Sequence, residues 1–274
     1  MKNRLGGSMF IRNGIRYDYC FREALASLCA VCDEVVILDA GSDDGTIDVL
    51  KEIAANTVNL TLYTGATWEC ERPGYPGKDR LAVLANQAKD LLSPACNWHF
   101  MLQADEVIHE DSFPAIRKIV EEDDPAMLAV AVRRLNLYGD MNHHVRLGDM
   151  PAGFGKPCND APIRLARRQY VALGDAESLG GVPSHSDFNF DYVDRIITFH
   201  YGYVRNPIVE VNKVLDMQGW FGCGQDERIK RMKAESKPYD PFEIMPRECH
   251  EELRITHPSF SRQWVSQREG MLKW

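Results

Sequence analysis

Through the first 110 residues short apolar runs alternate with amphipathic stretches, and that rhythm predicts strands and helices in turn. Residues 8–13, Ser8-Met9-Phe10-Ile11-Arg12-Asn13, read as a first strand that enters an Asn13-Gly14 turn. Tyr17, Phe21, Leu25 and Leu28 then recur at helical spacing over residues 17–29. The run Asp33-Glu34-Val35-Val36-Ile37-Leu38-Asp39 is the clearest strand in the chain. A helix through Ile47, Val49, Leu50 and Ile53 follows, then the weaker strand at 60–63. Strand, polar turn, helix and strand in succession give a βαβ rhythm and a mostly parallel sheet.

A second compact apolar run, residues 98–102, stops abruptly at Gln103-Ala104-Asp105-Glu106. Such a run suits a buried central strand, on which Gln103 and Asp105 share one face. Asp39 likewise closes its strand, before the glycine-bearing turn 40–46. In open α/β sheets ligands bind beyond the carboxyl ends of the strands. Two carboxylates at one such edge suit a nucleotide-sugar site. One accepts a hydrogen bond from base or ribose, and the other holds the metal on the diphosphate. No GxGxxG or GxxxxGK[ST] glycine pattern is present, so a divalent cation is the expected cradle for phosphate.

Beyond residue 110 the pattern predicts an exposed amphipathic helix at 112–122, with an acidic, solvated end at 121–124, and a strand at 127–134. A Gly- and Pro-rich stretch, 138–162, reads as an acceptor-facing or lid loop, with His143-His144 at its surface. Strands are expected at 162–168 and 196–205 and a helix at 209–221. The tail, 241–274, reads as an ordered extension over the core.

Composition narrows the class. The chain has 274 residues, 45% hydrophobic and 26% charged, as soluble globular proteins do. Its net charge of −8 disfavours broad attraction to nucleic acid or anionic membrane, although a local basic patch is compatible with it. No apolar run approaches the ~20 residues of a membrane span, and no signal peptide precedes the first strand. Eight cysteines without framework spacing read as reduced thiols in a cytoplasmic protein. The lone Cys29-Ala30-Val31-Cys32 reads as a helix end packed on the sheet.

VVILDAGSDDGT followed by WHFMLQADEV resembles the paired signature of family 2 glycosyltransferases with the GT-A fold. Leu84-Ala85-Asn86-Gln87-Ala88 is similar to the family's Asn-x-Ala helix segment, and Phe10-Ile11-Arg12-Asn13 to its first strand and turn. Further on, Pro162 to Arg168 looks like an RLFRR-type strand, and the run from His200 to Val204 like an HYGYV element. Within the family the nearest likeness is to the lipopolysaccharide-core and surface-glycan branch. The resemblance implies a GT-A-like (Rossmann-like) α/β fold: a mixed, mostly parallel central sheet flanked by helices, with a C-terminal helical and loop extension. The implied domains are 1–210 (nucleotide-sugar half 8–110, acceptor half 111–210) and the extension 211–274.

The implied activity is inverting, metal-assisted transfer from a nucleotide sugar, a UDP-sugar foremost, to a glycan or other hydroxyl acceptor. Mn²⁺ or Mg²⁺ would be the cofactor. In this scheme Asp39, with Asn13, meets the nucleoside and Asp105 the metal. Gln103 stands where the family has the first aspartate of its DxD motif, which implies a weaker or donor-completed metal site, or binding independent of metal. Glu177 is the first choice for the base and Asp175 the second. His200 is open between metal ligand, diphosphate contact and core histidine; Arg205 suits phosphate. Two other readings stay compatible. One is a nucleotidyltransferase, and the other a non-catalytic sugar-nucleotide or glycan binder, which Gln103 keeps open. The acceptor could be a surface glycan or a modified nucleic-acid base.

Overall fold

The computed structural model describes residues 3–68, 79–146, 161–180, 190–206, 208–210, 212–213, 216 and 247–269. Its core is one ten-stranded mixed sheet with helices packed against it. Four parallel strands come first: β1 (Arg4–Ile11), β2 (Glu34–Asp39), β3 (Leu60–Tyr63) and β4 (Cys96–Met101), in spatial order β3-β2-β1-β4. Val35, Val36 and Ile37 of β2 are all at most 1% exposed, as expected of a strand covered on both faces.

β1 begins four residues before the predicted start, inside a stretch that looks polar and glycine-rich. Its glycines are packing residues. A Cβ on Gly6 would lie 2.8 Å from the Leu92 side chain, and one on Gly7 2.8 Å from Leu28 Cγ. Both strand neighbours, β2 and β4, bond to β1 along this stretch. Helices α1 (Phe21–Val31), α2 (Thr46–Ala55) and α3 (Asp79–Asp90) fill the crossovers. α1 buries Ala24, Leu25 and Leu28 completely. It starts later than the spacing predicts, because Tyr17 and Tyr19 belong to a turn that serves the site described below. The five described cysteines are free thiols, Cys29 and Cys32 among them at the end of α1.

The sheet is less parallel than expected. β8 (Ile163–Arg167) lies antiparallel to both β4 and β6 (Ala129–Tyr138). β7 (His143–Val145) pairs antiparallel with β6, and β12 (His250–Glu252) with β7. β5 (Glu106–Ile108) runs antiparallel to the long β11 (Asp191–Tyr203), which itself runs parallel to β6. For the β6–β7 pair the physical reason is connection length. The four residues between β6 and β7 can close a hairpin, whereas a parallel neighbour needs a crossover of a dozen residues or more. A two-stranded ribbon, β9 (Val171–Ala172) and β10 (Leu179–Gly180), stands apart.

The helix predicted at 112–122 is α4 (Phe113–Glu122), with Ile116 and Val120 fully buried on one face. The loop expected at 138–162 contains β7, in which His144 is buried and not at the surface; residues 147–160 lie outside the described residues. Of the helix expected at 209–221, residues 209, 210, 212, 213 and 216 are helical and the others lie outside the described residues. In the tail, α5 (Arg262–Arg268) buries Trp264 and Val265 against Phe199 and Tyr201 of β11. No described helix is long and apolar enough to cross a membrane.

Candidate functional site

The parallel strands β1, β2 and β4 deliver their carboxyl ends to one edge of the sheet. Ile11 pairs with Asp39, and Leu102 N–H donates to Ser8 O at 3.1 Å just past β4. Asp39 is 1% exposed. Its Oδ2 accepts the N–H groups of Gly41 (3.0 Å) and Ser42 (3.1 Å). Gly41 has φ +82°, a backbone state that favours glycine. Asp39 Oδ1 is buried without a hydrogen-bond partner among the described residues. An orphaned buried acceptor costs about 1–3 kcal/mol, which a ligand donor would recover.

Asn13, itself at φ +53°, stitches the turn after β1 to the turn after β2. Its N–H donates to Ser42 Oγ (2.9 Å) and its Oδ1 accepts from Asp43 N–H (2.9 Å). Ile15 N–H to Thr46 Oγ1 and Arg16 N–H to Asp44 Oδ2 extend the seam. Asn13 therefore shapes the walls around Asp39, with its side-chain oxygen already engaged.

The same segment leads to Asp105, 9% exposed. Asp105 Oδ2 accepts from Arg205 Nη2 at 3.2 Å, and Lys213 Nζ lies 3.7 Å from it. Burial opposes ionisation of Asp105, yet the positive surroundings outweigh it and hold the carboxyl well below its usual range. Arg205 is 1% exposed and spends its donors on Gly202 O, Tyr17 O and Asp105, with Glu210 Oε2 3.0 Å from Nε. The Tyr19 ring lies under both cations, 5.1 Å from the Arg205 guanidinium carbon and 5.0 Å from Lys213 Nζ. Tyr17 and Tyr19 thus tie the turn after β1 to the Asp105 cluster.

His200 approaches from β11. Its Nδ1 lies 2.9 Å from Asn136 Oδ1 and its Nε2 3.7 Å from Asp105 Oδ1; in the tautomer that donates to Asn136, Nε2 carries the lone pair. Burial pushes the His200 pKa down to about 4 against the pull of Asp105, so the ring is neutral near pH 7. At neutral pH the cations beside Asp105 are Arg205 and Lys213, and the His200 ring joins them in holding the carboxyl down once it is protonated. A Cβ on Gly202 would lie 2.4 Å from His200 Nε2 and 3.2 Å from Asp105 Oδ2. The glycine keeps that gap clear.

The resemblance implies a divalent cation here, and the donors fit one in part. In that tautomer a carboxylate oxygen and an imidazole lone pair face each other, a set that suits Mn²⁺, while Mg²⁺ would use the carboxylate oxygen and not the ring. Among the described residues no group of three or more His, Cys, Asp or Glu side chains could hold a metal, so other ligand positions would fall to the donor.

The next residue heads a second cluster. Glu106, 0% exposed, accepts from Arg164 Nη2 at 2.6 Å, with Arg134 Nη1 3.5 Å away. Arg134 also pairs with Glu177 Oε1, and Arg164 Nη1 donates to Glu177 O at 2.9 Å. Burial raises the Glu177 pKa, but Arg134 and Arg164 prevail and keep it below the usual range. The Glu177 side chain is 33% exposed. Gln103 Nε2 donates to Ala176 O (3.3 Å) and lies 3.5 Å from Glu177 Oε2. An aspartate at 103 would set a second carboxylate against Glu177, a physical reason for the amide. Asp175 is exposed, and its Oδ1 accepts from Glu177 N–H at 3.3 Å.

Sequence reasoning missed Glu106, Arg134, Arg164, Tyr19, Glu210 and Lys213 as members of these clusters. Arg134 and Arg164 carried a signal: each is a cation inside an apolar strand, and a buried cation needs an acid. Lys213 carried none. It also missed Arg12 and Arg80, whose guanidinium carbons lie 5.1 and 5.8 Å from the Trp68 ring near the end of β1.

No protein-family model and no curated protein matches the sequence. Of three solved structures that align with it, one is a mannosyltransferase and one a synthase by name. The mannosyltransferase PcManGT of Pyrobaculum calidifontis, in complex with GDP-Man and Mn²⁺, is 16% identical over 91% of this chain and 70% of its own, at TM-score 0.45. Glucosyl-3-phosphoglycerate synthase of Mycobacterium tuberculosis, with Mn²⁺, UDP and its glucosylated product, is 14% identical over 80% of each chain, at 0.44. Residues 1–349 of S. aureus TarS are 14% identical, at 0.43; the alignment covers 78% of this chain and 66% of that one. At such distances none of their activities transfers to this chain.

Proposed function

We propose that the chain is an enzyme, an inverting glycosyltransferase that moves a sugar from a nucleoside-diphosphate sugar, a UDP-sugar foremost, to an acceptor hydroxyl. The observation that carries this reading is the orphaned, buried Asp39 Oδ1, on the sheet edge that also carries the facing pair Asp105 and His200. Asp39 Oδ1 accepts a hydrogen bond from the base or ribose. Asp105 would hold Mn²⁺ or Mg²⁺, joined by His200 for Mn²⁺, and the cation when bound offsets the charge growing on the leaving diphosphate. Glu177 Oε2 takes the proton of the acceptor hydroxyl. The hydroxyl oxygen attacks the anomeric carbon from the face opposite the diphosphate, and the bond from that carbon to the diphosphate breaks. Arg134 and Arg164 keep Glu177 ionised and fixed, and Asp175 supports the turn that bears it.

The test is a panel of UDP- and GDP-sugars with the full chain and Mn²⁺. Release of nucleoside diphosphate by slow hydrolysis is expected for at least one donor. Affinity without release identifies a binder, and release of pyrophosphate from a nucleotide and a sugar phosphate identifies a nucleotidyltransferase.

A further inference from the structure

The cluster around Asp105 holds two carboxylates, Asp105 and Glu210, and two cations, Arg205 and Lys213, so it is balanced with no metal present. The two cations are not equivalent. Arg205 is 1% exposed and tied to the chain at four points, with Nε on Gly202 O and Glu210, Nη1 on Tyr17 O and Nη2 on Asp105. It is a strut. Lys213 Nζ has three donors, and at 3.7 Å its approach to Asp105 is longer than a hydrogen bond. Its ammonium lies 5.0 Å from the centre of the Tyr19 ring, and its side chain is 14% exposed. If Lys213 turns away, Asp105 keeps Arg205, so no buried carboxylate is left without a partner.

We infer that Lys213 is a donor-binding residue: its ammonium moves from Asp105 to the diphosphate of the nucleotide sugar, so the chain anchors that diphosphate even without a divalent cation. This rests on the donor-site reading above. A diphosphate arriving beside Asp105 brings negative charge to a carboxylate, and a mobile cation is what that approach requires. Gln103, facing Glu177, adds no negative charge to the metal side, which leaves a side-chain cation more to do.

Titration calorimetry on the full-length protein tests this with UDP and GDP, each in EDTA and in Mn²⁺. Wild type, Lys213→Met and Lys213→Arg are compared. Methionine keeps an unbranched side chain of similar length and removes the charge. Wild type is expected to bind one of the two diphosphates in EDTA. Lys213→Met should weaken that binding about tenfold or more, Lys213→Arg should restore most of it, and Mn²⁺ should narrow the gap. The matching nucleoside monophosphate should bind wild type and Lys213→Met alike. Equal diphosphate affinity in wild type and Lys213→Met overturns the inference, as does wild-type binding that vanishes in EDTA. Equal losses of mono- and diphosphate also overturn it, because the lysine would then serve the fold. Binding of neither diphosphate by the wild type under either condition overturns the donor-site reading itself, and the inference with it.

Discussion

Asp105 and Glu106 are consecutive, yet they head two clusters of the same composition and opposite character. Each cluster contains two carboxylates and two cations. Around Glu106 the strands β5, β6 and β8 bring Arg134 and Arg164 into short contacts, and the cluster is closed on its inner side. Around Asp105 one cation is tied down and the other hovers beyond hydrogen-bond distance, while His200 Nε2 stands 3.7 Å from the carboxylate. The difference teaches that balanced charge alone does not mark a structural ion cluster. The length of the contacts does, with Arg164 Nη2 2.6 Å from Glu106 in one cluster and Lys213 Nζ 3.7 Å from Asp105 in the other. A closed cluster fixes geometry, and an open one waits for a partner.

The sharpest way to test that division is at the rim of the closed cluster, where Glu177 remains partly exposed. Glu177→Gln keeps an oxygen for Arg134 but removes the base. It should lower kcat by roughly 10²–10⁴ while the unfolding midpoint and donor affinity stay near wild type. Full activity would move the base elsewhere, and a comparison with Asp175→Asn in the same assay would show whether the neighbouring acid serves.

Breaking the closed cluster from inside should cost stability instead. Arg164→Met leaves Glu106, fully buried, without its shortest partner, and about 3–5 kcal/mol of unfolding free energy should be lost in urea titration. Lys213→Met, at the open cluster, should cost under about 1 kcal/mol in the same titration, in the range of weakly engaged pairs. Equal costs would erase the distinction between the two clusters.

The smallest effect concerns the nucleoside end. Asp39→Asn keeps an acceptor for Gly41 and Ser42 but replaces the orphaned oxygen or its charge. Nucleoside diphosphate affinity should fall roughly tenfold, as loss of a hydrogen bond to a charged acceptor costs about 1.5–3 kcal/mol. Unchanged affinity by calorimetry would make Asp39 a turn residue only.

The parallel half of the sheet was legible because each of its elements advertises itself locally. β2 is a continuous apolar run, mostly β-branched, closed by an acid, and α1 repeats Phe21, Leu25 and Leu28 at helical spacing. β1 was read four residues short, since Gly6 and Gly7 look like breakers until Leu28 and Leu92 are seen against them. The antiparallel half was harder to read, because its strand order depends on which short connections close, not on the pattern within any strand. Asp39 and Asp105 could be read from their place at strand ends. The partner of Asp105 could not: Lys213 lies 108 positions further on, in a stretch whose composition says nothing of where it docks.

Gly202 has a consequence for how this chain can drift. Most positions near a site tolerate small steps, but here even a methyl group would collide with His200 and crowd Asp105. A lineage that keeps the chemistry must keep this absence of a side chain, and a lineage that abandons the chemistry is free to fill it. An aspartate a few residues past an apolar strand, together with His-x-Gly on a later one, is then a short fingerprint.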